Sequence, residues 1–571
     1  MYIYTQACIN PIFSKSANAK KEKKNNTGAK ITIDLEDDST SNFILPLPTS
    51  KTTTRTKSLI LESSTTKTAQ ITLNDCLACS GCVTSAETVL IEQQSFGALR
   101  KAIDSKRHKF IVVSISEEAR TSLAVRFNIN SSRVHWKLRD YFHKLAGKIP
   151  VVVVDASIAT DVALVETRAE FLERFQGSTE KKNKVGWKRP AASVAVSSTR
   201  ERVMIKGEVK TFDDVADHAS TVAEGAAMMN ASLPPVKRAR KIESNKCLPM
   251  LVSSCPGWVC YAEKRHPEAI PYMSTVKSPQ QILGSFVKLR LPKIAKILAR
   301  PSEVLHVSIM ACFDKKLEAS RLDFFHDESE FEEEEWGKNA NVHEVDLVLT
   351  ASELIEVFQS KDEKDETFTS RFDELEQKLS NFSSDGKSRF SASHAAHGGS
   401  GGFVDDVLRF AARELLEEDG DVKLKYNCPR RSDENFQEVT IESKRKKLKF
   451  ALIYGFRHIQ KIVRQLRSGR CKYDFVEIMA CPGGCLNGGG QARPDDFKSV
   501  DAKLLLEKIK KEFETNHPLT LYRDPEKSPF VAEVNRWCDS SSTVDDARKQ
   551  HLHTRYHAVP EMPKNVLAIQ W

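Results

Sequence analysis

The 571-residue chain has no apolar run that approaches the roughly 20 residues of a membrane span. Its longest apolar stretches, such as VVVV at Val151, have the length of sheet strands. The first residues, MYIYTQACINPIF, lack the basic start, apolar block and cleavage site of a secretory leader, and also the Arg-rich amphipathic pattern of a transit peptide. The cytoplasm is therefore the expected compartment, with the nucleus as a further one, and no membrane partner is expected. A strong charge of one sign is missing too. The net charge of +9 is modest for this length, and much of the basic excess sits in KKEKKNN from Lys20 and VKRARK from Val236. No aromatics interleave with these cations, so solvated basic tails are favoured over a nucleic-acid surface and no direct nucleic-acid contact is expected. Disulfides are rare in such compartments, so the thirteen cysteines need another explanation.

The length supports two or more domains around a large core. Residues 14–70, rich in Lys, Ser, Thr and Asn, read as a loosely ordered arm with one hairpin around ITIDLEDD. From residue 109 the texture changes. KFIVVSIS is a buried strand, and Glu117 to Phe127 reads as a helix. VVVVDASIATDVALVETRAEFLERF is a strand, a loop and a long amphipathic helix. LHVSIMAC, VDLVLTASELIEVF, KFALIYGFRHIQKIVRQLRSGR and YDFVEIMAC continue the alternation. Strands alternating with helices predict a parallel, doubly wound α/β architecture, with ligands outside the carboxyl ends of the strands. Cys255, Cys312 and Cys481 each fall just beyond a predicted strand. Residues 176–246 read as a surface insertion, whose PPVKRARK is a solvated basic loop or a nuclear address. Residues 326–342 and 360–400, acidic or Ser/Gly-rich, read as loops.

Two cysteine constellations carry chemistry. The first, LNDCLACSGCVTSAE, spaces Cys76, Cys79 and Cys82 as C-x2-C-x2-C. One loop with this spacing wraps a cubane and delivers three thiolates to three irons. The ferredoxin run would continue with a cysteine after three residues, but Val83, Thr84, Ser85 and Ala86 follow here. A closed four-cysteine site then needs Cys8, in QACINP, as its fourth ligand. The rivals are a three-thiol cluster and a zinc site, although zinc ribbons use two separate C-x2-C pairs rather than three cysteines in series. The second constellation is dispersed: SSCPGW from Ser253, IMACFDKKLEASR from Ile309 and EIMACPGGCLNGGGQ from Glu477. Each cysteine taken singly reads as a buried small hydrophobe. Together, Cys255, Cys312, Cys481 and Cys485 are four thiols in loops flanked by Pro or Gly, which suits a [4Fe–4S] cluster. The amides of Gly483, Gly484 and Gly488 to Gly490 are candidate hydrogen-bond donors to its sulfurs.

SCPGW, MACFDKKLEASR, KSPQQILGS and MACPGGCLNGGGQ resemble the signature regions of [FeFe]-hydrogenases. With TLNDCLACSGC and RYHAV added, the chain is still more similar to their eukaryotic relatives, the cytosolic iron–sulfur assembly factors of the nuclear prelamin A recognition factor-like family. The resemblance runs from Cys8 to Trp571, apart from the insertion and the low-complexity loops. It implies an iron-only hydrogenase-like α/β fold of two lobes, each with a parallel sheet flanked by helices, plus a small N-terminal iron–sulfur segment. Residues 1–105 would be the arm and cluster segment, 106–500 the large-subunit-like region, and 501–571 a small-subunit-like segment ending in a docking tail. It further implies two [4Fe–4S] clusters, one on Cys8, Cys76, Cys79 and Cys82, the other on Cys255, Cys312, Cys481 and Cys485. The terminal AIQW resembles the tail by which such factors dock onto the targeting complex, with Trp571 as the anchor.

Departures from the hydrogenase pattern are informative. Hydrogenases carry a cysteine proton relay just before the first cluster cysteine, and here that position is Ser254, a poor acid at neutral pH. Lys315 and Glu318 match hydrogenase positions, but without the relay they are expected to bond locally. No second ferredoxin-type run feeds electrons to the site. The resemblance therefore implies a non-catalytic carrier or adaptor that works with scaffold proteins, the targeting complex and apo iron–sulfur clients. The alternatives are a hydrogenase-like oxidoreductase with a diiron centre bridged by Cys485, and a zinc-stabilised nuclear, lamin-binding interaction protein. Cys247, Cys260, Cys428, Cys471 and Cys538 match no ligand position and read as core or surface residues. His394 and His397, beside GGSGG, read as a polar loop.

Overall fold

The computed structural model of the protein describes residues 85–184, 247–327, 341–359, 401–416, 424–429, 433–443, 447–496, 501–516, 524–540 and 544–559. Cys8, Cys76, Cys79, Cys82, His394, His397, Trp571, the ITIDLEDD segment and the PPVKRARK segment lie outside them. The described strands, in chain order, are β1 Phe110–Ile115, β2 Val151–Asp155, β3 Met250–Val252, β4 Val304–Met310, β5 Phe325–Asp327, β6 Asn341–His343, β7 Leu347–Thr350, β8 Phe436–Glu442, β9 Lys447–Tyr454 and β10 Phe475–Met479. They form two four-stranded sheets, β2-β1-β4-β7 and β3-β10-β9-β8, and a small ribbon of β5 with β6.

The first sheet is parallel throughout, and every residue of β1, β2 and β4 is buried. Both of its faces are covered, which explains the unbroken apolar runs in the sequence. Alternate residues of β1 serve different cores. Phe110 and Val112 join the core shared with the second sheet, while Ile111, Val113 and Ile115 pack beneath Leu123, Leu138 and Phe142 of the outer helices. In the second sheet β3, β10 and β9 are parallel, and β8 closes one edge antiparallel to β9. β8 (FQEVTIE) is only half buried, as an antiparallel edge strand should be. The chain visits the first sheet, crosses to the second for β3, returns for β4 and β7, and crosses again for β8 to β10. This interleaving lets loops from both lobes meet in one place.

Two loop expectations are corrected. Residues 176–184, read as the start of an insertion, continue the helix Ser157–Lys184, because the polar run still contains the good helix formers Gln, Glu and Lys. The ends of the 326–342 segment are strands, with His326 opposite Val342 and Asp327 opposite Asn341. Val342 and Phe324 are buried there, and the buried Glu344 carboxylate meets His326 Nε2 at 2.9 Å, so packing overrides the acidic composition.

Residues 501–559 lie across both lobes. Leu505, Leu506, Ile509 and Phe513 of the helix Ala502–Asn516 cover Leu486. Further on, Lys277 N donates to Leu552 O at 2.9 Å, Thr554 N to Thr275 O at 2.7 Å, and Val559 N to Glu263 O at 2.9 Å. A buried cation ties this segment to the lobes. The Arg168 guanidinium, 1% exposed, is bidentate to Asp406 at 2.7 and 2.6 Å and reaches Asp524 at 2.8 Å. Removing one partner of such a pair leaves a buried charge uncompensated, at a cost of about 3–5 kcal/mol. Arg168→Met is expected to lower the denaturant midpoint accordingly. A midpoint within about 0.5 kcal/mol of the wild type would show that the pair holds nothing together.

Candidate metal centre

Among the described residues, Cys255, Cys312 and Cys481 each lie just beyond a strand end. Cys255 follows β3 and N-caps the helix Pro256–Arg265, with Pro256 in its first turn. The Ser253 hydroxyl donates to Ile478 O at 2.5 Å and accepts from Cys255 N at 3.1 Å, so the β3 loop is tied to β10. Cys312 follows β4 and leads into the short helix Asp314–Ala319. Cys481 follows β10, and Cys485 opens the 3-10 turn Cys485–Asn487. Between them Gly483 and Gly484 both take φ +77°, a conformation that favours glycine.

The later glycines solve a different problem. A Cβ on Gly488 would lie 2.4 Å from Ala311 O, and one on Gly490 would lie 2.7 Å from Thr350 Cβ. Only glycine lets this second-lobe loop lie against the end of β4 and β7, beside Cys312. Of the candidate donors Gly483, Gly484 and Gly488 to Gly490, the amides of Gly483, Gly484, Gly488 and Gly490 are engaged within the protein. Gly483 N donates to Asn435 Oδ1 at 2.7 Å, Gly484 N to Cys481 O at 3.1 Å, Gly488 N to Cys485 O at 3.0 Å and Gly490 N to Ala311 O at 2.9 Å. The loop uses its amides to close on itself and on the other lobe. Donors reach sulfur elsewhere: Ala480 N lies 3.4 Å from Cys255 Sγ, and the Gly257 and Trp258 amides at the helix N-terminus also bond it. These favour a thiolate at Cys255.

All four thiols sit deep and within electrostatic reach of one another. Burial pushes the Cys312 thiol well above the usual range, and Asp314, Cys481, Cys255 and Cys485 push it further. Burial raises Cys481 in the same way, followed by Cys255, Cys485 and Asp314. Burial and then Asp314 raise Cys255. Cys312, Cys481 and Cys485 nevertheless keep partial exposure, and Cys312 and Cys485 line a cavity. Among the described residues no three His, Cys, Asp or Glu side chains converge as a single metal ion requires.

Beside Cys312 and Cys485 lies a cavity of about 750 Å³ including its mouth, lined by Ser254, Glu117, Glu118, Thr160, Gln280 and Lys315 among others. Burial raises the Glu118 carboxyl. Lys315 Nζ pairs with Glu318 at 2.6 Å, so these two side chains do bond locally, as expected without a thiol at Ser254.

A family model for the C-terminal domain of the iron only hydrogenase large subunit matches residues 195–489. Cytosolic iron-sulfur assembly component 3 of Mus musculus is 36% identical over 513 residues, covering 88% of this chain and 87% of the relative. Cytosolic Fe-S cluster assembly factor narfl of Xenopus tropicalis is 35% identical over 576 residues, covering 99% of this chain and 96% of the relative. The chain belongs to this assembly-component family. An apo [FeFe]-hydrogenase variant from Chlamydomonas reinhardtii shares the fold, with a TM-score of 0.53 at 20% identity over 81% of this chain and 99% of that one. The expected hydrogenase-like α/β architecture is thus borne out. Sequence reasoning missed Asp314, Gly257 and the Ala480 amide, each adjacent or nearly adjacent to a ligand cysteine; the signal for the first is in MACFDKK, which carries its carboxylate two residues after Cys312.

The strand that presents Cys481 also carries a buried acid. Burial pushes the Glu477 carboxyl up to about 8, with Asp405 adding to the rise, while Val404 N donates to Oε2 at 2.9 Å. The folded chain therefore binds this proton up to about pH 8, whereas the unfolded chain loses it from about pH 4.3. Stability from this group is full at low pH and lost as pH rises across that window. Glu477→Gln, neutral throughout, is expected to match the wild type near pH 4 and to become more stable by about 3–5 kcal/mol near pH 8 in denaturant titrations. A pH-independent difference would contradict the burial argument.

Proposed function

We propose that this chain is a non-catalytic component of cytosolic iron–sulfur protein assembly. It holds two [4Fe–4S] clusters and serves as carrier or adaptor toward cytosolic and nuclear apoproteins. The observation that carries this reading is the set Cys255, Cys312, Cys481 and Cys485, drawn from two lobes into one deep site with backbone donors on Cys255 and no proton-relay thiol at Ser254. Their thiolates hold the buried cluster. Cys8, Cys76, Cys79 and Cys82 hold the second, in a segment that enters the fold at the helix Ser85–Gln93. Bound iron–sulfur clusters supply electron storage or transferable cargo. Ser254, with a hydroxyl in place of a thiol, leaves the adjacent cavity without a thiol at the position of the hydrogenase proton relay. Scaffold proteins and the targeting complex are the partners, with Trp571 docking onto the latter, and client apoproteins receive the cargo. The relatives named as cytosolic assembly proteins support the cytosolic setting. No described helix is long and apolar enough to cross a membrane.

Iron, zinc and acid-labile sulfide per chain, with an infrared spectrum of the same anaerobic sample, test this. About eight irons and eight sulfides without carbonyl or cyanide bands are expected for two cubanes. Extra iron with those bands would make the chain a hydrogenase-like oxidoreductase, and stoichiometric zinc would favour the nuclear interaction protein. Cys79→Ala is expected to lose about half the iron with the α/β core still folded, whereas Cys481→Ala loses iron and stability together. Equal collapse of both variants would overturn the division between exposed and buried clusters.

A further inference from the structure

The helix Pro256–Arg265, capped at one end by Cys255, finishes in a corner where both ends of the described chain meet. At the entry, the helix Ser85–Gln93 is tied there by Lys264 Nζ, which donates to the two Glu87 oxygens at 2.7 and 2.6 Å. At the exit, Val559 N donates to Glu263 O at 2.9 Å and His557 N to Glu263 Oε1 at 3.0 Å. The same Glu263 carboxylate accepts from both terminal nitrogens of Arg321 at 2.8 Å each, and Arg321 also holds Asp323 at 3.0 Å. His557 Nε2 lies 3.1 Å from Asp323 Oδ1. The charges of this network are engaged with one another inside the chain. The corner also carries exposed apolar side chains. Among the described residues seven large hydrophobic side chains are exposed, and four of them, Val89, Leu90, Leu322 and Val559, belong to this network or stand within three residues of it, with Leu322 at 72% exposure. Single apolar residues scattered over a surface need no explanation, but their concentration on three segments at one corner marks an interaction face.

We propose that this corner is the second contact, beside Trp571, for the protein that captures the chain's tail: the partner buries Val89, Leu90, Leu322 and Val559 under an apolar face of its own while it holds residues 560–571. This rests on the reading of Trp571 as a docking anchor and names the surface that the docked partner covers. Chain connectivity selects this occupant. The tail begins at the residue after Val559, so it leaves from within the face, and its 12 residues span at most about 40 Å. A partner that holds the tail is kept within that distance, and its second contact becomes an intramolecular event. The paired charges favour an apolar protein face over a strongly charged ligand, because the groups that would attract one already satisfy each other. Cys82 stands three residues before Ser85, within about 11 Å of it along the chain. The cluster proposed for Cys8, Cys76, Cys79 and Cys82 is therefore presented toward the docked partner, while Cys255 and the buried centre lie at the other end of the same helix.

Binding of the full chain to the purified targeting complex, followed by biolayer interferometry, tests this. Leu322→Gln combined with Val559→Gln is expected to weaken binding about tenfold, as the loss of central apolar contacts does. Leu298→Gln, at a side chain 95% exposed that belongs to none of these segments, is expected to leave it unchanged. Weaker binding in Trp571→Ala with no effect of the Leu322→Gln and Val559→Gln pair overturns the corner and keeps the tail. Undiminished binding in Trp571→Ala overturns the docking reading on which the proposal rests. Two other occupants would also overturn it. A dimer of the free chain that Leu322→Gln dissociates, seen by sedimentation, places a second copy on the face. Loss of about half the iron in Leu322→Gln places the chain's own cluster segment there. Should the variants not fold, hydrogen–deuterium exchange of the wild type decides. Slower exchange of residues 85–93 and 321–324 in the complex supports the proposal, and unchanged exchange overturns it.

Discussion

Four cysteine sulfurs held deep in a protein cannot all ionise without a cation among them. Burial and mutual repulsion drive Cys312 and Cys481 toward the protonated form, and only a positively charged metal body reverses that order. Most of the surrounding architecture follows from bringing these sulfurs together. Strands β3 and β10 deliver Cys255 and Cys481 from one sheet, β4 delivers Cys312 from the other, and the glycine-rich loop carries Cys485 across. The loop reaches because Gly488 and Gly490 remove side chains at the points where Ala311 and Thr350 stand, an arrangement that no residue with a Cβ would permit.

The same scaffold hosts hydrogen chemistry in other proteins, so fold alone does not decide function. The decision lies in single groups around the site. Ser254 puts a weak acid where a proton relay would stand. Lys315 and Glu318 remain, but they satisfy each other at 2.6 Å.

Much of this was legible from the residues. Near-continuous apolar runs such as FIVVSI and VVVVD marked the parallel strands, and Glu117–Phe127 is a helix with the bounds read from the sequence. The dispersed cysteines were recognisable as candidates because Cys255, Cys312 and Cys481 each follow a strand, and Cys255, Cys481 and Cys485 sit beside Pro or Gly. The edge strand β8 was missed because its burial is partial and its polar residues mask the alternation. The close approach of Gly488 and Gly490 to Ala311 and Thr350 was not legible, since it depends on segments far away in the chain.

The most direct measurement is iron K-edge X-ray absorption on the full chain carrying Cys8→Ala, Cys76→Ala, Cys79→Ala and Cys82→Ala, so that iron can reside only in the two-lobed site. A shell of sulfur neighbours together with a shell of iron neighbours is the predicted result, because the proposed occupant of the four thiols is a [4Fe–4S] cluster. Iron with sulfur neighbours but no iron shell, or a protein that retains zinc in its place, would contradict it.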